Sequence, residues 1–302
     1  MNDNGKFEDH GQGQNDYMTD VLSQKADDFI RASTSDSHPF FLYLATYAPH
    51  EPATPAPRAA NLFSNLIAPR TPSFNEADVS DKPPALAADP LLNGGQIANL
   101  DQLYRDRVRS MQTVDEMLAR LINTLQETGQ LDNTYIIFTS DNGYHLGQHR
   151  LMSGKGTPYE EDIVVPLIVR GPNVQADAAL DGYVSGNIDI APTVADLAGV
   201  VPPSYVDGPP SSRCLPLNVR LNRIGVKVIS SNIMARAKEK ARIIPWLLTT
   251  VLINCLSHRT LTGSCRLRPR LIILRFAHRN IHMWNIKVVS TNFTISSRIH
   301  MN

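Results

Sequence analysis

Cysteine is scarce: three occur in 302 residues, Cys214, Cys255 and Cys265. An odd count with no Cys-x-x-Cys spacing supports neither a disulfide framework nor a zinc site. No apolar stretch opens the chain, which begins Met1-Asn2-Asp3-Asn4-Gly5-Lys6-Phe7-Glu8-Asp9-His10, so no secretory signal is visible and the localisation stays unknown. The longest apolar run, Ile243 to Cys255, is too short and interrupted to cross a bilayer. Charged residues make up only 19%, yet 42% are hydrophobic, which places the chain among globular rather than disordered proteins. Its length suits one large α/β domain or two smaller ones.

Acidic residues are nearly missing from one end. Residues 209–302 hold 16 of the 29 Lys+Arg but a single one of the 29 acids, Glu239. The formal net charge of zero therefore hides about −15 on residues 1–208 and about +15 on 209–302. A basic module ordinarily keeps some acids for its own ion pairs and helix starts. No basic-plus-aromatic pattern accompanies this charge, so nucleic acid is not expected as a partner. The Arg, Ser, Ile and Leu of this tail follow no usable period, and it is expected to lack a native fold.

Upstream, periodicity returns. Residues 17–32 read as a helix capped by Thr19 or Asp20, with Val21, Leu22, Lys25, Ala26, Phe29 and Ile30 on the packed face. Phe40 to Thr46 is a short apolar run, expected as a strand buried on both faces. Ala53 to Asn99 is a long Pro- and Ala-rich loop, either functional or an excursion over the surface. A helix over about 100–128 presents Leu103, Met111, Val114, Leu118, Leu121, Ile122 and Leu125, and Gly129 stops it. Thr134 to Thr139 is a second strand and Val164 to Arg170 a third, with Pro166 demanding a bulge or a sheet edge. A short helix at about 189–198 has Asp189 as cap and Gly199 as stop. Strands alternating with helices predict a layered α/β sheet.

Three segments carry chemistry. Ser140-Asp141-Asn142-Gly143-Tyr144-His145-Leu146-Gly147-Gln148-His149 follows directly on a strand, where ligand sites of α/β sheets lie. Asp141 and Asn142 offer two hard oxygen donors suited to calcium, although Asp-Asn-Gly is also a common turn. Gly143 is expected to permit a sharp turn there. In Gly154-Lys155-Gly156, Lys155 offers a compact charge for an anion between glycines that let backbone approach a ligand; the bland alternative is a solvated turn. In Ala48-Pro49-His50-Glu51-Pro52, the prolines restrict where the imidazole points. His50 can donate a proton or hydrogen bond to an anionic ester, or simply be a satisfied polar residue.

In this order the segments resemble the sulfatases, nearest the arylsulfatase and N-acetylglucosamine-6-sulfatase branch. The resemblance runs through Tyr17 to Asp20, Phe40 to Arg58, Ala68 to Glu76, Tyr104 to Ser110, Asp132 to Gly156 and Glu160 to Gly171. It implies an alkaline-phosphatase-like α/β/α sandwich with a mixed sheet, incomplete here: a partial catalytic domain over 1–208, then the basic tail 209–302. It implies calcium-dependent hydrolysis of sulfate esters, with a sulfated small molecule or sulfated sugar as partner. Asp141 and Asn142 correspond to two calcium ligands, and Lys155 and His50 to catalytic residues that contact the sulfate. His145 and His149 are either substrate contacts or structural histidines. Members are commonly secreted or lysosomal.

The departures bear on activity. The family's nucleophile is a formylglycine made from cysteine in Cys-x-Pro-Ser-Arg, and no cysteine here fits; Cys265-Arg266-Leu267-Arg268-Pro269 has its proline displaced. The paired aspartates that complete the calcium site are absent, and the nucleophile segment is expected to precede Met1. The chain alone is therefore expected to fold poorly and to lack activity. The alternative is a non-catalytic sulfate-binding pseudoenzyme. Among enzymes the rival is a phosphonate or phosphodiester hydrolase, against which Tyr159 to Asp162 and the Gly-Lys pair argue. After Val206-Asp207-Gly208 the family pattern continues Ser-Leu-Leu-Pro-Leu. The codons of Pro209 to Leu215 permit that motif from their third base, so residues from about 209 onward read as an out-of-frame translation.

Overall fold

Apolar residues at spacings of two and of three to four divide this chain into strands and helices, and the computed structural model follows that division. It describes residues 1–211 except 12, 14, 36, 37 and 180–183, together with the backbone of 248–254 and 270–273. In chain order the elements are a small ladder of β1 (Asn2–Asp3) and β2 (Lys6–Phe7), then α1 (Met18–Thr34), β3 (Phe40–Ala45), α2 (Pro84–Ala87) and α3 (Gly94–Glu127). There follow β4 (Thr134–Ser140), β5 (His145–Leu146), β6 (Ser153–Gly154), α4 (Glu160–Ile163), β7 (Leu167–Arg170), α5 (Ile190–Leu197), β8 (Leu248–Asn254) and β9 (Arg270–Ile273).

The main sheet has the order β7-β4-β8-β3-β9. Strands β3 and β4 both pair antiparallel with β8 and so run parallel to each other; β7 is antiparallel to β4, and β9 parallel to β3. The sheet is mixed, as expected. Two stretches of the tail, β8 and β9, are thus strands of the sheet, where no native fold was expected; the rest of 212–302, with all three cysteines, lies outside the described residues.

Register decides where the site forms. Thr249 of β8 stands opposite Ala45 on one side and Thr139 on the other. Two strand spacings, about 10 Å, therefore separate the ends of β3 and β4, which leave the sheet at the same edge.

One face of the sheet is covered by α1 and α3. Leu22, Ala26 and Ile30 recur every four residues along α1, and with Val114, Met117, Leu121 and Leu125 of α3 they bury Phe40, Leu42, Leu44 and Ile136. Each of these side chains larger than alanine contributes about 1.5–3 kcal/mol. The expectation that β3 is buried on both faces does not hold: Tyr43 is 38% exposed, because the two long helices cover only the side that Phe40, Leu42 and Leu44 present. The buried stripe of α3 runs through Leu100, Tyr104, Val108, Val114 and Met117, so Leu103, Met111 and Leu118 flank it rather than define it.

Helix ends also depart from expectation. The N-cap of α1 is Tyr17, with no side-chain cap; Asp20 instead receives two hydrogen bonds from Arg58, at 2.8 and 2.7 Å. Helix α3 begins at Gly94, within the stretch read as loop, because Asn93 and Gln96 form a reciprocal capping box at 3.0 and 2.9 Å that satisfies two orphan donors. Pro166 ends up just outside β7, which is an edge strand, in keeping with its missing donor. Asp189 is the N-cap of α5, as expected, but its side chain makes no capping bond; its carboxylate turns back to accept from Gly186 N at 2.8 Å.

Candidate functional site

Asp141 and Asn142 project from the end of β4. Ser140 Oγ donates to the Asn142 carbonyl at 2.8 Å, and Asn142 N donates to Asp141 Oδ1 at 2.9 Å, so the turn is held by its own polar side chains. Gly143 N and Tyr144 N donate to the carbonyls of Asp162 and Glu161 at 2.7 and 2.6 Å. A β-carbon at Gly143 would lie 2.7 Å from the Asp162 carbonyl carbon and closer still to the Glu161 oxygen. The glycine is required by this close backbone approach rather than by a left-handed turn.

The chain then doubles back. In the β5–β6 ladder His145 stands opposite Gly154, which returns the next residue, Lys155, toward the end of β4. Its Nζ donates to Asn142 Oδ1 at 3.3 Å, and the side chain is otherwise exposed. Gly154 faces not a ligand but the His145 ring: a β-carbon there would be 2.9 Å from His145 Nε2.

The two later histidines are tied into the scaffold. His145 is 6% exposed, and its Nδ1–H donates to the Asp162 carboxylate at 3.0 and 3.1 Å. Asp162 is 4% exposed and also accepts from Thr157 N and Oγ1 at 2.8 and 2.7 Å. His149 pairs through Nδ1 with Glu76 at 2.7 Å and packs its ring against Tyr159, 4.1 Å between centroids. It helps fasten the long excursion after β3, whose Asn75 N donates to the Gly147 carbonyl at 2.7 Å. Geometry thus favours the structural reading for both.

His50 sits in the loop that leaves β3, between the cis Ala48–Pro49 and Glu51–Pro52 peptide bonds. Its Nδ1 donates to the Glu51 carbonyl at 2.9 Å. A hydrogen bond donated from Nδ1 leaves Nε2 without the ring proton. A cavity of about 400 Å³ opens beside it, lined by Tyr17, Tyr47, Pro52 and Ser110 among others, though not by Lys155 or Asn142. This volume falls within the range of small-molecule sites.

A half-buried connection spans the two loops. The Tyr144 hydroxyl donates to the Glu51 carboxylate, and the Arg107 guanidinium lies over the Tyr144 ring, 3.9 Å from its centroid. Arg107 is 2% exposed, and burial lowers its guanidinium to about 10. Burial, together with the Glu51 carboxylate, pushes the Tyr144 hydroxyl up to about 12. Reasoning from sequence passed over Glu51, Arg107, Tyr144 and Asp162 as functional positions. Arg107 alone left a signal, a charge one turn from Tyr104 and beside Val108 on the apolar stripe.

As a calcium site the arrangement is partial. Asp141 and Asn142 supply two oxygen donors where calcium takes six to eight, and Asn142 Oδ1 already receives Lys155. Among the described residues no group of three or more His, Cys, Asp or Glu stands close enough to hold a metal. No described helix is long and apolar enough to cross a membrane.

Residues 1–200 match the sulfatase family model. The N-acetylglucosamine-6-sulfatase of Capra hircus is 41% identical over 197 residues, covering 65% of this chain and 35% of that protein. The arylsulfatase of Volvox carteri is 39% identical over 221 residues, covering 64% and 34%. The chain thus spans about a third of the length of these curated relatives. A solved structure, BT4656 in complex with its substrate D-glucosamine-2-N,6-O-disulfate, superposes with a TM-score of 0.50 at 24% identity, over 72% of this chain and 54% of that one. At that identity the likeness is one of fold.

Proposed function

We propose that this chain, which belongs to the sulfatase family, carries part of a sulfuric-ester site in which Lys155 and His50 contact the sulfate oxygens. The observation that supports this best is convergence. β3 and β4 end at one edge of the sheet, and the β5–β6 ladder brings Lys155 to 3.3 Å from Asn142 at that same edge. An exposed ammonium there offers charge to an oxyanion, and His50, held through Nδ1, presents Nε2 to an ester oxygen. Asp141 and Asn142 are our candidates for two calcium ligands, the other positions being filled by further groups; bound calcium would help neutralise sulfate charge. The names of the relatives favour an aryl sulfate or a 6-sulfated glucosamine as ligand class, with the carbon portion in the cavity beside His50.

The 302 residues contain no Cys-x-Pro-Ser-Arg. Without a covalent nucleophile the rate falls by orders of magnitude, so the chain by itself binds sulfate esters without turning them over. Titration of the 302-residue protein with p-nitrophenyl sulfate, followed by calorimetry, tests this. Saturable binding is expected, weakened about tenfold or more by Lys155→Ala and by His50→Ala. Equal binding by all three proteins would sink the site assignment. Nitrophenol release at the rate of an intact enzyme would overturn the inactivity.

A further inference from the structure

We infer that Arg107, Tyr144 and Glu51 form a positioning device that sets His50 against the Asn142–Lys155 side of the site. The inference rests on the proposed role of His50 and Lys155, and adds three residues beyond those proposed to contact the sulfate.

The chain of contacts is continuous. Arg107 comes from α3, which packs on the face of the sheet, and its guanidinium lies over the Tyr144 ring, 3.9 Å from the centroid. A buried cation over an aromatic face is attracted by the ring's quadrupole, more strongly when water is excluded. Tyr144 stands two residues beyond Asn142 and immediately before β5, whose His145 pairs with Gly154 beside Lys155. Its hydroxyl donates across to the side chain of Glu51, in the other loop. Glu51 in turn holds His50: its carbonyl accepts from His50 Nδ1 at 2.9 Å and from the Tyr47 hydroxyl at 2.5 Å. One residue therefore bonds Tyr144 with its carboxylate and orients the imidazole with its carbonyl. β3 and β4 are separated by β8 and share no ladder, so side chains must set how their loops meet. Serving as that bridge explains why an arginine is buried on α3 and why Glu51 directs its charge inward. Neither Arg107 nor Tyr144 needs to touch the ligand; they act through His50.

The conservative substitution Tyr144→Phe keeps the ring over Arg107 and removes only the bond to Glu51. Two readouts apply. The first uses no ligand: nitrogen-15 correlation spectra of the His50 ring at about pH 8, where an ordinary histidine is neutral. The parent protein should show the Nδ1–H tautomer, and Tyr144→Phe a shift toward a mixture with Nε2–H. The second is affinity for inorganic sulfate, expected to weaken about fivefold to tenfold, the equivalent of one hydrogen bond of ordinary net strength, because Tyr144 acts on the ligand only through His50. Arg107→Lys, which keeps the charge but not the guanidinium over the ring, should move both readouts in the same direction; if it fails to fold, Tyr144→Phe decides alone. An unchanged His50 tautomer together with unchanged sulfate affinity in Tyr144→Phe would overturn the inference. If His50→Ala and Lys155→Ala leave sulfate binding intact while Tyr144→Phe still moves the His50 tautomer, the site assignment fails and the coupling stands.

Discussion

The His145 imidazole and the Asp162 carboxylate face each other at 3.0 and 3.1 Å, both inside the protein. Seventeen residues of sequence separate them, and between them the chain makes the hairpin that returns Lys155 to Asn142. The pair closes this loop at its base, as a bolt across the fold rather than a contact for ligand.

Replacing Asp162 by Asn keeps the volume but halves the oxygen acceptors. One or two of the His145 Nδ1–H, Thr157 N–H and Thr157 O–H donors then lose their partner inside the protein, at about 1–3 kcal/mol each. The expected outcome is a fall of several degrees in thermal midpoint, read by calorimetry, with binding of p-nitrophenyl sulfate weakened because Lys155 is less well placed. A midpoint equal to the parent's would show that the pair does not hold the loop.

Gly143 and Gly154 make a contrast that geometry alone ranks. A β-carbon at Gly143 meets fixed backbone at 161–162, whereas at Gly154 it meets the edge of one imidazole at 2.9 Å. Overpacking costs about 1–3 kcal/mol, more where the neighbour cannot move. Gly143→Ala should therefore destabilise more than Gly154→Ala in urea titrations. The reverse order would mean that the 161–162 backbone yields more easily than a buried ring.

Much of this was legible in the sequence, for reasons that can be named. The period of Leu22, Ala26 and Ile30, the apolar run of Phe40 to Ala45 and the strand before Ser140-Asp141 each encode a local structure. The Asp-Asn-Gly and Gly-Lys segments, singled out for their chemistry, meet where Lys155 Nζ donates to Asn142 Oδ1 at 3.3 Å. The bridge of Arg107, Tyr144 and Glu51 was not legible, because its members stand 56 and 93 residues apart from Glu51 and meet only after β3 and β4 share a sheet. The two faces of β3 were misjudged because Phe41 and Tyr43 are as apolar as their buried neighbours. Asn93 to Gln96 did carry a helix-start signal, hidden within a Pro- and Ala-rich stretch.

Asp27 of α1 accepts from Arg120 of α3 at 3.0 Å and from the Thr124 hydroxyl. Burial alone would raise its carboxyl, but Thr124 and Arg120 outweigh it and lower the carboxyl below its ordinary 3.8. A folded value below the unfolded one means that the unfolded chain binds protons first. The stability Asp27 contributes is therefore whole above about pH 4 and is lost as pH falls through the depressed folded value. Asp27→Asn should be less stable than the parent at neutral pH, and the gap should narrow at about pH 3. Urea unfolding at the two pH values measures it; a gap that widens in acid would contradict this assignment.

Calcium offers the sharpest check on how complete the site is. Two oxygens, one of them shared with the Lys155 ammonium at 3.3 Å, fall short of the six to eight that calcium takes, and affinity follows ligand number and charge. A dissociation constant of about 1 mM would stabilise the chain at 1 mM calcium by only about 0.4 kcal/mol. Thermal unfolding of the 302-residue protein should accordingly shift by no more than about two degrees on adding that much calcium. Lys155→Met removes the competing cation and should enlarge the shift, while Asp141→Asn should abolish it. A rise of many degrees in the parent protein, lost in Asp141→Asn, would show instead that groups beyond Asp141 and Asn142 already complete the coordination within this chain.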